Sequence, residues 1–429
     1  MSAAELEVVD LCRDLIRIDT SNFGDSSGPG ERAAAEYVAA SLAEVGIEST
    51  ILESESGRAS VVARWGDQNS SRPGLVVHGH LDVVPAQAAD WSVDPFAAEI
   101  VDDYVVGRGA VDMKDFDAIM LAVVRERQRS GRIPARPITL VFTADEEAGG
   151  QLGAHWLVAH HPEWFEGCTE AVGEVGGFST EVAGKRLYLI ESGEKGIAWL
   201  RLTASGRAGH GSMTNPDNAI THLAQALVRL GEHRWPDEPG PSMQLLLEKV
   251  RELTGAEGTP QELFEHFGPA VRMIGSGLRN STNATMVQAG YKHNVVPGDA
   301  VAYVDGRPLP GHDETFVERI QQIVGDGVRV EPYHQDIPLE YAFEGDLVDA
   351  MTVSLLKHDP EAHVAPFLMS AGTDAKAWHK LGMRSYGFVP LRLPADLDFT
   401  ALFHGVDERV PIDALHFGTR VFDEFLDLA

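Results

Sequence analysis

Apolar residues in this chain fall into two patterns. One is the short, mostly apolar run: "SVVARW" at 60–65, "GLVVHG" at 74–79, "ITLVFTA" at 138–144 and "TEAVGEV" at 169–175. Runs of this length read as buried strands. The other pattern has helical spacing and covers 4–17, 31–45 and 115–130. Strands separated by helices predict an α/β fold, a mixed, mostly parallel sheet sandwiched by helices. In such sheets ligands gather beyond the carboxyl ends of the strands.

The texture changes near Gly196. "AWLRLTASGRAGHGS" alternates as a half-buried strand does, and "DNAITHLAQALVRLGEH" is amphipathic with Asp217 or Asn218 as its N-cap. Strand-like "TNATMVQAGYKHNVVPG" and "AVAYVDGRPLPG", helical "ETFVERIQQIV" and strand-like "RVEPYHQDIP" follow. Apart from a helical stretch at roughly 240–272, read as an enlargement of this unit, the order is β-α-β-β-α-β, a ferredoxin-like α+β arrangement. The α/β texture returns after about Glu340. The predicted plan is one α/β domain made of 1–195 and 339–429, interrupted by a smaller domain at 196–338.

Length agrees with more than one core, since the chain has 429 residues. The formal net charge is −30, from 65 acidic and 35 basic residues, which disfavours nucleic acid and anionic membranes as partners. Two cysteines, Cys12 and Cys168, are too few for a disulfide framework or a Cys-rich zinc site. The N-terminal stretch lacks the basic start and apolar core of a secretory signal, and no window of about 18 residues is continuously apolar. The expected location is the cytoplasm.

Chemistry concentrates at the ends of the apolar runs. The second run leads into His80 and Asp82, the third into Asp145, Glu146 and Glu147, the fourth into Glu174. Asp112 follows the turn "VVGRGAV", and His404 lies in a turn near the C-terminus. Any one of these reads equally well as a cap or a solvated loop group. Together they put five or six ligand-type side chains on one rim. Adjacent Glu146 and Glu147 in a buried rim repel each other unless a cation or a shared proton intervenes. Two imidazoles and three carboxylates without cysteine favour zinc, with cobalt or manganese as alternatives. Five ligands, one of them bridging, serve two ions, which together hold a hydroxide and polarise a carbonyl.

The motifs resemble the dinuclear-zinc amidohydrolases and peptidases, the family of aminoacylase, succinyl-diaminopimelate desuccinylase, acetylornithine deacetylase and glutamate carboxypeptidase. The resemblance covers nearly the whole chain. It rests on "GHLDVVP" (79–85), "GRGAVDMK" (107–114), "ADEEAGG" (144–150), "VGEVGG" (172–177), "AGHGSMTNPDNAI" (208–220), "HNVVPG" (293–298), "DGR" (305–307), "GTDAKAW" (372–378) and "FHGVDE" (403–408). It implies that His80 and Glu174 bind one ion, that Glu147 and His404 bind a second, and that Asp112 bridges both. It implies that Asp82 orients the His80 ring and that Glu146 is the general base and acid for a metal-held water. The inserted unit becomes a lid and dimerisation domain. His210, otherwise a surface histidine in a glycine-rich loop, reaches the partner subunit's site in a homodimer and stabilises the oxyanion. Asn294 and Arg307 contact the substrate, where a plain turn salt bridge is the competing reading of Arg307. Gly372, Thr373 and Asp374 line the pocket.

The implied reaction is metal-dependent hydrolysis of an N-acyl amino acid or a short peptide with a free carboxylate. A dipeptidase or aminopeptidase, and an inactive binding protein, are the alternatives. Asp115, Phe116 and Ala371 stand where relatives carry glycines, and "YGFVPL" departs from the usual glycine–proline ending, so Phe116 near Asp112 and the pocket floor are expected to alter specificity. His78 is left without a ligand role and is expected to make a structural hydrogen bond. His155, His160 and His161 are expected at the surface.

Overall fold

The computed structural model describes residues 1–25 and 27–429. Its larger sheet has ten strands. Four parallel neighbours form the middle, in the order Ile138–Thr143, Gly74–His80, Cys168–Gly173 and Arg384–Gly387. Antiparallel strands extend both flanks: Arg58–Trp65 and Ser49–Glu55 on one side, Lys185–Glu194 on the other. Three further strands, Phe178–Val182, Leu339–Glu340 and His363–Met369, pair with Lys185–Glu194, the last of them in parallel.

Both faces are covered, as the uninterrupted apolar runs require. On one face the helix Lys114–Ser130 lies almost wholly buried, flanked by Ala3–Arg17 and Ile412–Leu428. The first of these starts where the sequence permits: Ser2 caps it, its hydroxyl accepting from the Glu5 amide while the Glu5 carboxylate accepts from the Ser2 amide. Lys114–Ser130 stops at Gly131, whose φ of 72° is a left-handed cap that glycine adopts without strain. On the opposite face Val76, Val141, Leu157 and Trp378 form a separate apolar cluster.

A second, four-stranded antiparallel sheet runs in the order Ser281–Ala289, Asp299–Arg307, Ile197–Ser205, Val328–Asp336. Helices Ala219–Glu232 and Asp313–Val324 cover one face over a core of Leu200, Leu202, Val304, Phe316 and Ile320. Of the two N-cap candidates, Asn218 is the cap, its side-chain oxygen accepting from the Ile220 amide. The helical stretch read as an enlargement of this unit behaves differently. Its helix Pro241–Thr254 packs on His363–Met369, and Met243, Leu246 and Val250 share the core of the larger sheet with Leu189 and Phe367. Helical periodicity shows that a face is buried, not which sheet buries it. Among the described residues no helix is long and apolar enough to cross a membrane.

Candidate metal centre

Parallel register assembles the rim. His80 ends the strand Gly74–His80 directly opposite Thr143, the last residue of its neighbour. Past Thr143 the chain turns through Asp145, which adopts φ 68°, into a short 3-10 turn holding Glu146 and Glu147. On the other side Glu174 follows the strand Cys168–Gly173. Two further loops close over the rim. Asp112 precedes the helix Lys114–Ser130, and His404 precedes the strand Arg409–Pro411. That strand pairs with Tyr104–Val106, which draws the two loops together.

The two oxygens of Asp112 face two different imidazoles. Oδ1 lies 3.1 Å from His80 Nε2, and Oδ2 lies 3.2 Å from His404 Nε2. Glu174 approaches His80 Nε2 at 3.4 Å, and Glu147 approaches His404 Nε2 at 3.0 Å. Ligand atoms of His80, Glu146 and Glu174 fall within 4.8 Å of one another, as do those of His80, Asp112 and Glu147. The two groups have His80 in common, and Asp112 faces both imidazoles.

The electrostatics ask for cations. Burial raises Glu146 well above the usual carboxylate range, and the Glu174 charge adds to it. Burial raises Glu147 to about 7. Hydrogen bonds to Asp112 and Glu147 lift His404 to about 10. Burial alone would depress His80, but bonds to Asp112 and Glu174 overcome it and raise the imidazole well above its ordinary value. Carboxylates that resist ionising beside imidazoles that retain protons mark a place short of positive charge. Divalent ions bound by deprotonated oxygen and nitrogen donors supply it, so the donor set fits a two-metal centre.

Asp82 meets the His80 ring through its backbone. His80 Nδ1 donates to the backbone carbonyl of Asp82 at 2.9 Å, while the nearer Asp82 carboxylate oxygen is 3.7 Å away. The carbonyl thus fixes the ring tautomer and leaves Nε2 facing the centre. The Asp82 carboxylate instead accepts the amides of Glu146 and Glu147, each at 3.1 Å, and so holds the turn that carries them.

Two supports escaped the sequence reading. Asn22 donates to Asp82 at 2.9 Å and to Asp145 at 3.2 Å, and its own oxygen accepts from Arg58 at 3.0 Å. Arg58 in turn is paired with buried Glu31. Glu408, fully buried, accepts the amides of Gly109, Val111 and Asp112 at 3.1, 2.7 and 3.2 Å and pairs with Arg108 at 2.6 Å. It grips the loop that delivers Asp112. The quoted motif "FHGVDE" contained Glu408, and its place four residues after His404 was the available signal.

Of the remaining candidates, Asp374 borders this cluster through Thr143, the strand partner of His80. His210 and Asn294 are both exposed, His210 on the strand Gly209–His210 and Asn294 in the turn before its partner Val295–Val296, where the Gly211 amide donates to the Asn294 carbonyl. His210 Nδ1 lies 2.9 Å from the Ser212 hydroxyl. Arg307 makes a two-pronged pair with Asp305, at 2.7 and 3.1 Å, which is the turn salt bridge considered for it. Thr373 donates its amide to buried Glu194, itself paired with Lys376. Asp374 is buried, accepts from Thr143 at 2.7 Å, and is raised to about 8 by burial. Gly372 packs against the Lys376 side chain, which would have to give way by a few tenths of an ångström to admit a Cβ.

Three minor expectations change. Phe116 does not shape the pocket; it is fully buried, edge-on to Phe422 in the core. His155 is buried, with Nδ1 2.9 Å from Lys380 Nζ, and burial lowers it to about 4. His78 is held by ring packing against Trp378 and over Gly173, where any side chain would collide with it.

Known proteins agree with this picture. The model of peptidase family M20/M25/M40 matches residues 76–428. The chain is 30% identical over 373 residues to the N-fatty-acyl-amino acid synthase/hydrolase PM20D1.1 of Danio rerio, covering 78% of this chain and 68% of that protein. It is 27% identical to aminoacylase-1 of Sus scrofa, covering 97% and 94%. An M20 family metallo-carboxypeptidase from Sulfolobus solfataricus has the same fold, with a TM-score of 0.74 at 18% identity over 98% of this chain and 99% of that one. Human carnosine dipeptidase 1 gives 0.70 at 17% identity over 98% and 95%. A match running through most of the chain, over a rim that gathers two groups of metal-ligand donors, makes this protein a member of peptidase family M20/M25/M40 and a metal-dependent hydrolase of amide or peptide bonds.

Proposed function

We propose that the protein cleaves the amide bond of an N-acyl amino acid, or of a short peptide with a free carboxylate, using two divalent ions with zinc as the first candidate. His80 and Glu174 would hold one ion, Glu147 and His404 the other, and Asp112 both. Such ions, when bound, polarise a carbonyl and lower the pKa of water. Glu146 takes the proton of the attacking water and passes it to the leaving nitrogen, general base first and general acid second. Asp82 keeps Glu146 and Glu147 in place through their amides.

The remaining roles belong to a closed, dimeric enzyme. His210 of one subunit stabilises the developing oxyanion in the other. Asn294 and Arg307 contact the substrate, Arg307 releasing Asp305 to grip the free carboxylate. The loop Gly372, Thr373 and Asp374 lies along the pocket. Two features favour self-association. The strand Ser281–Ala289 is an exposed sheet edge, and Ile220 and Val228 are exposed on the adjoining helix Ala219–Glu232. Two of the relatives are named for acylated amino acids, which supports an acylated substrate.

The observation that carries this reading is Asp112 facing His80 with one oxygen and His404 with the other. The test is turnover of an N-acyl amino acid and dipeptide library by the zinc-, cobalt- or manganese-reconstituted protein. Release of free amino acid from acylated substrates is the expected result. Cleavage confined to peptides with free N-termini would make it a dipeptidase, and inactivity on every amide would refute the hydrolytic reading.

A further inference from the structure

One buried ammonium joins the loop 372–374 to the link between the two sheets. Lys376 and Glu194 are almost wholly withdrawn from solvent and pair at 2.7 Å. The other Glu194 oxygen accepts the Thr373 amide at 2.8 Å. The Lys376 ammonium also donates to the Lys195 carbonyl at 3.1 Å. Lys195 stands in the link, after the strand Lys185–Glu194 and before Ile197–Ser205. Its amide donates to the Met369 carbonyl of the larger sheet at 2.9 Å, and the next amide, that of Gly196, donates to the Pro308 carbonyl at 2.9 Å. Gly372 lies between the same lysine and the smaller sheet: a Cβ built on it would meet Lys376 Cε at 3.0 Å and Ile197 Cδ1 at 3.3 Å. Asp374 continues the run to the metal rim by accepting from Thr143, the strand partner of His80.

A substrate with a free carboxylate spans this joint. Under the reading that Arg307 grips the carboxylate, on which the inference rests, its amide lies at the rim of one sheet and its carboxylate at the other. Arg307 sits between Gly306, paired with Ala198, and Pro308, held by the Gly196 amide. The way the link is fastened therefore sets the distance from carboxylate to amide. We propose that Lys376, through Glu194 and the Lys195 carbonyl, is a positioning residue that fixes this distance, so that the enzyme accepts one spacing between carboxylate and amide nitrogen and rejects substrates a methylene longer or shorter. A buried ion pair suits the task. Moving either partner away strands a charge without solvent, so the link resists rearrangement. One methylene displaces the amide by about 1 Å, and a misplacement of that size costs about a hundredfold in rate.

The test compares the zinc-loaded wild type with Lys376→Met and with the double variant Glu194→Gln/Lys376→Met. The double variant removes both charges, so it leaves no stranded carboxylate should the single variant fail to fold. The substrates are the N-acetyl derivatives of glycine, β-alanine and γ-aminobutyrate, which differ in the spacing of carboxylate and nitrogen. The wild type is expected to favour one of them by about a hundredfold in kcat/KM. The variants lose most of that preference, to within about tenfold, while melting stays cooperative and metal content is unchanged. Hydrogen exchange, read without substrate, quickens at 194–196 and 372–374 together. A merely structural role would lower turnover of all three substrates by one common factor, and that result overturns the proposal. So does a wild type indifferent to spacing, or exchange that is unchanged in either segment. Arg307→Met separates the two readings. If it leaves KM and the spacing preference intact while Lys376→Met flattens that preference, the carboxylate is held elsewhere and only the assignment of Arg307 falls. If the wild type cleaves no amide, the hydrolase reading falls, and exchange alone decides whether Lys376 fastens loop and link.

Discussion

The rim of the larger sheet and the surface of the smaller one carry their candidate residues in opposite ways. His80, Asp112, Glu147 and Glu174 are nearly or wholly withdrawn from solvent and meet through His80 and through His404, whose own side chain is 55% exposed. His210 and Asn294 stand in water, and Arg307 is occupied by Asp305. A buried cluster of like charges is costly and persists where an ion repays it. An exposed histidine costs nothing, so its position alone says nothing about use. The lesson is that the donors of one region already meet within a single subunit, while those of the other meet neither that cluster nor one another through their side chains.

The largest effect separates chemistry from scaffold. Glu146→Gln keeps the shape of the turn, whose grip by Asp82 runs through backbone amides, and removes the proton carrier. The expected loss in kcat is about a thousandfold or more, with two ions per chain still found by elemental analysis. A variant with near-normal turnover would refute Glu146 as the base. Loss of metal together with activity would assign it a ligand's role instead.

Next comes the residue that most directly tests the contrast. His210→Ala is expected to lower kcat by about a hundredfold or more, with an unchanged melting temperature, since the side chain is exposed. The decisive arm mixes this variant with Glu146→Gln. In a symmetric dimer with sites completed across the interface, half of the mixed dimers' sites regain both residues. Co-refolded equal amounts then recover about a quarter of wild-type activity. If His210 serves its own subunit, the mixture recovers nothing.

Glu408→Gln has a smaller effect and acts on the rim's support. Three amides and Arg108 lose a carboxylate acceptor, so the loop bearing Asp112 loosens. A tenfold to hundredfold weaker metal affinity, about what loss of a supporting hydrogen bond costs a ligand, is expected by competition with a chelator. Saturating metal should restore most of the turnover. Unchanged affinity would make Glu408 a fold element only.

Glu408 also marks where sequence reading stops. The rim was legible because apolar runs stop abruptly at ligand-type residues, as "LVVHGH" does at His80 and "ITLVFT" does before Asp145. Strand periodicity and parallel order then put those ends side by side. Glu408 reaches Asp112 across 296 positions, and Asn22 reaches Asp82 across 60 and Asp145 across 123. Each serves distant backbone amides or buried carboxylates, and neither task leaves a local pattern. The helix Pro241–Thr254 shows the same limit at the level of packing, since its apolar face fits either sheet and only the tertiary fold chose. Asp82 was read as orienting the His80 ring with no atom assigned, because residue spacing does not distinguish its carbonyl from its carboxylate.

The smallest effect lies at the joint between the two regions. Lys195 follows the strand Lys185–Glu194 and precedes Ile197–Ser205, and its ammonium donates to the carbonyls of Ser276 and Arg279 and to the Ser281 hydroxyl. It thereby ties together both crossings into the smaller sheet. Burial, with Arg307 nearby adding to it, lowers Lys195 to about 7 from an ordinary value of 10.5. The unfolded chain binds this proton more tightly than the folded one, so stability attributable to Lys195 rises with pH between about 7 and 10.5. Below pH 7 both states hold the proton, and the full cost of burying the charge remains. Lys195→Met removes that titration. The wild type minus variant difference in melting temperature should therefore climb with pH, by about one or two degrees for each kcal/mol involved. A difference that is flat across this range would show that the ammonium is solvated at the joint, and that the two regions are less tightly fastened than its three oxygen partners indicate.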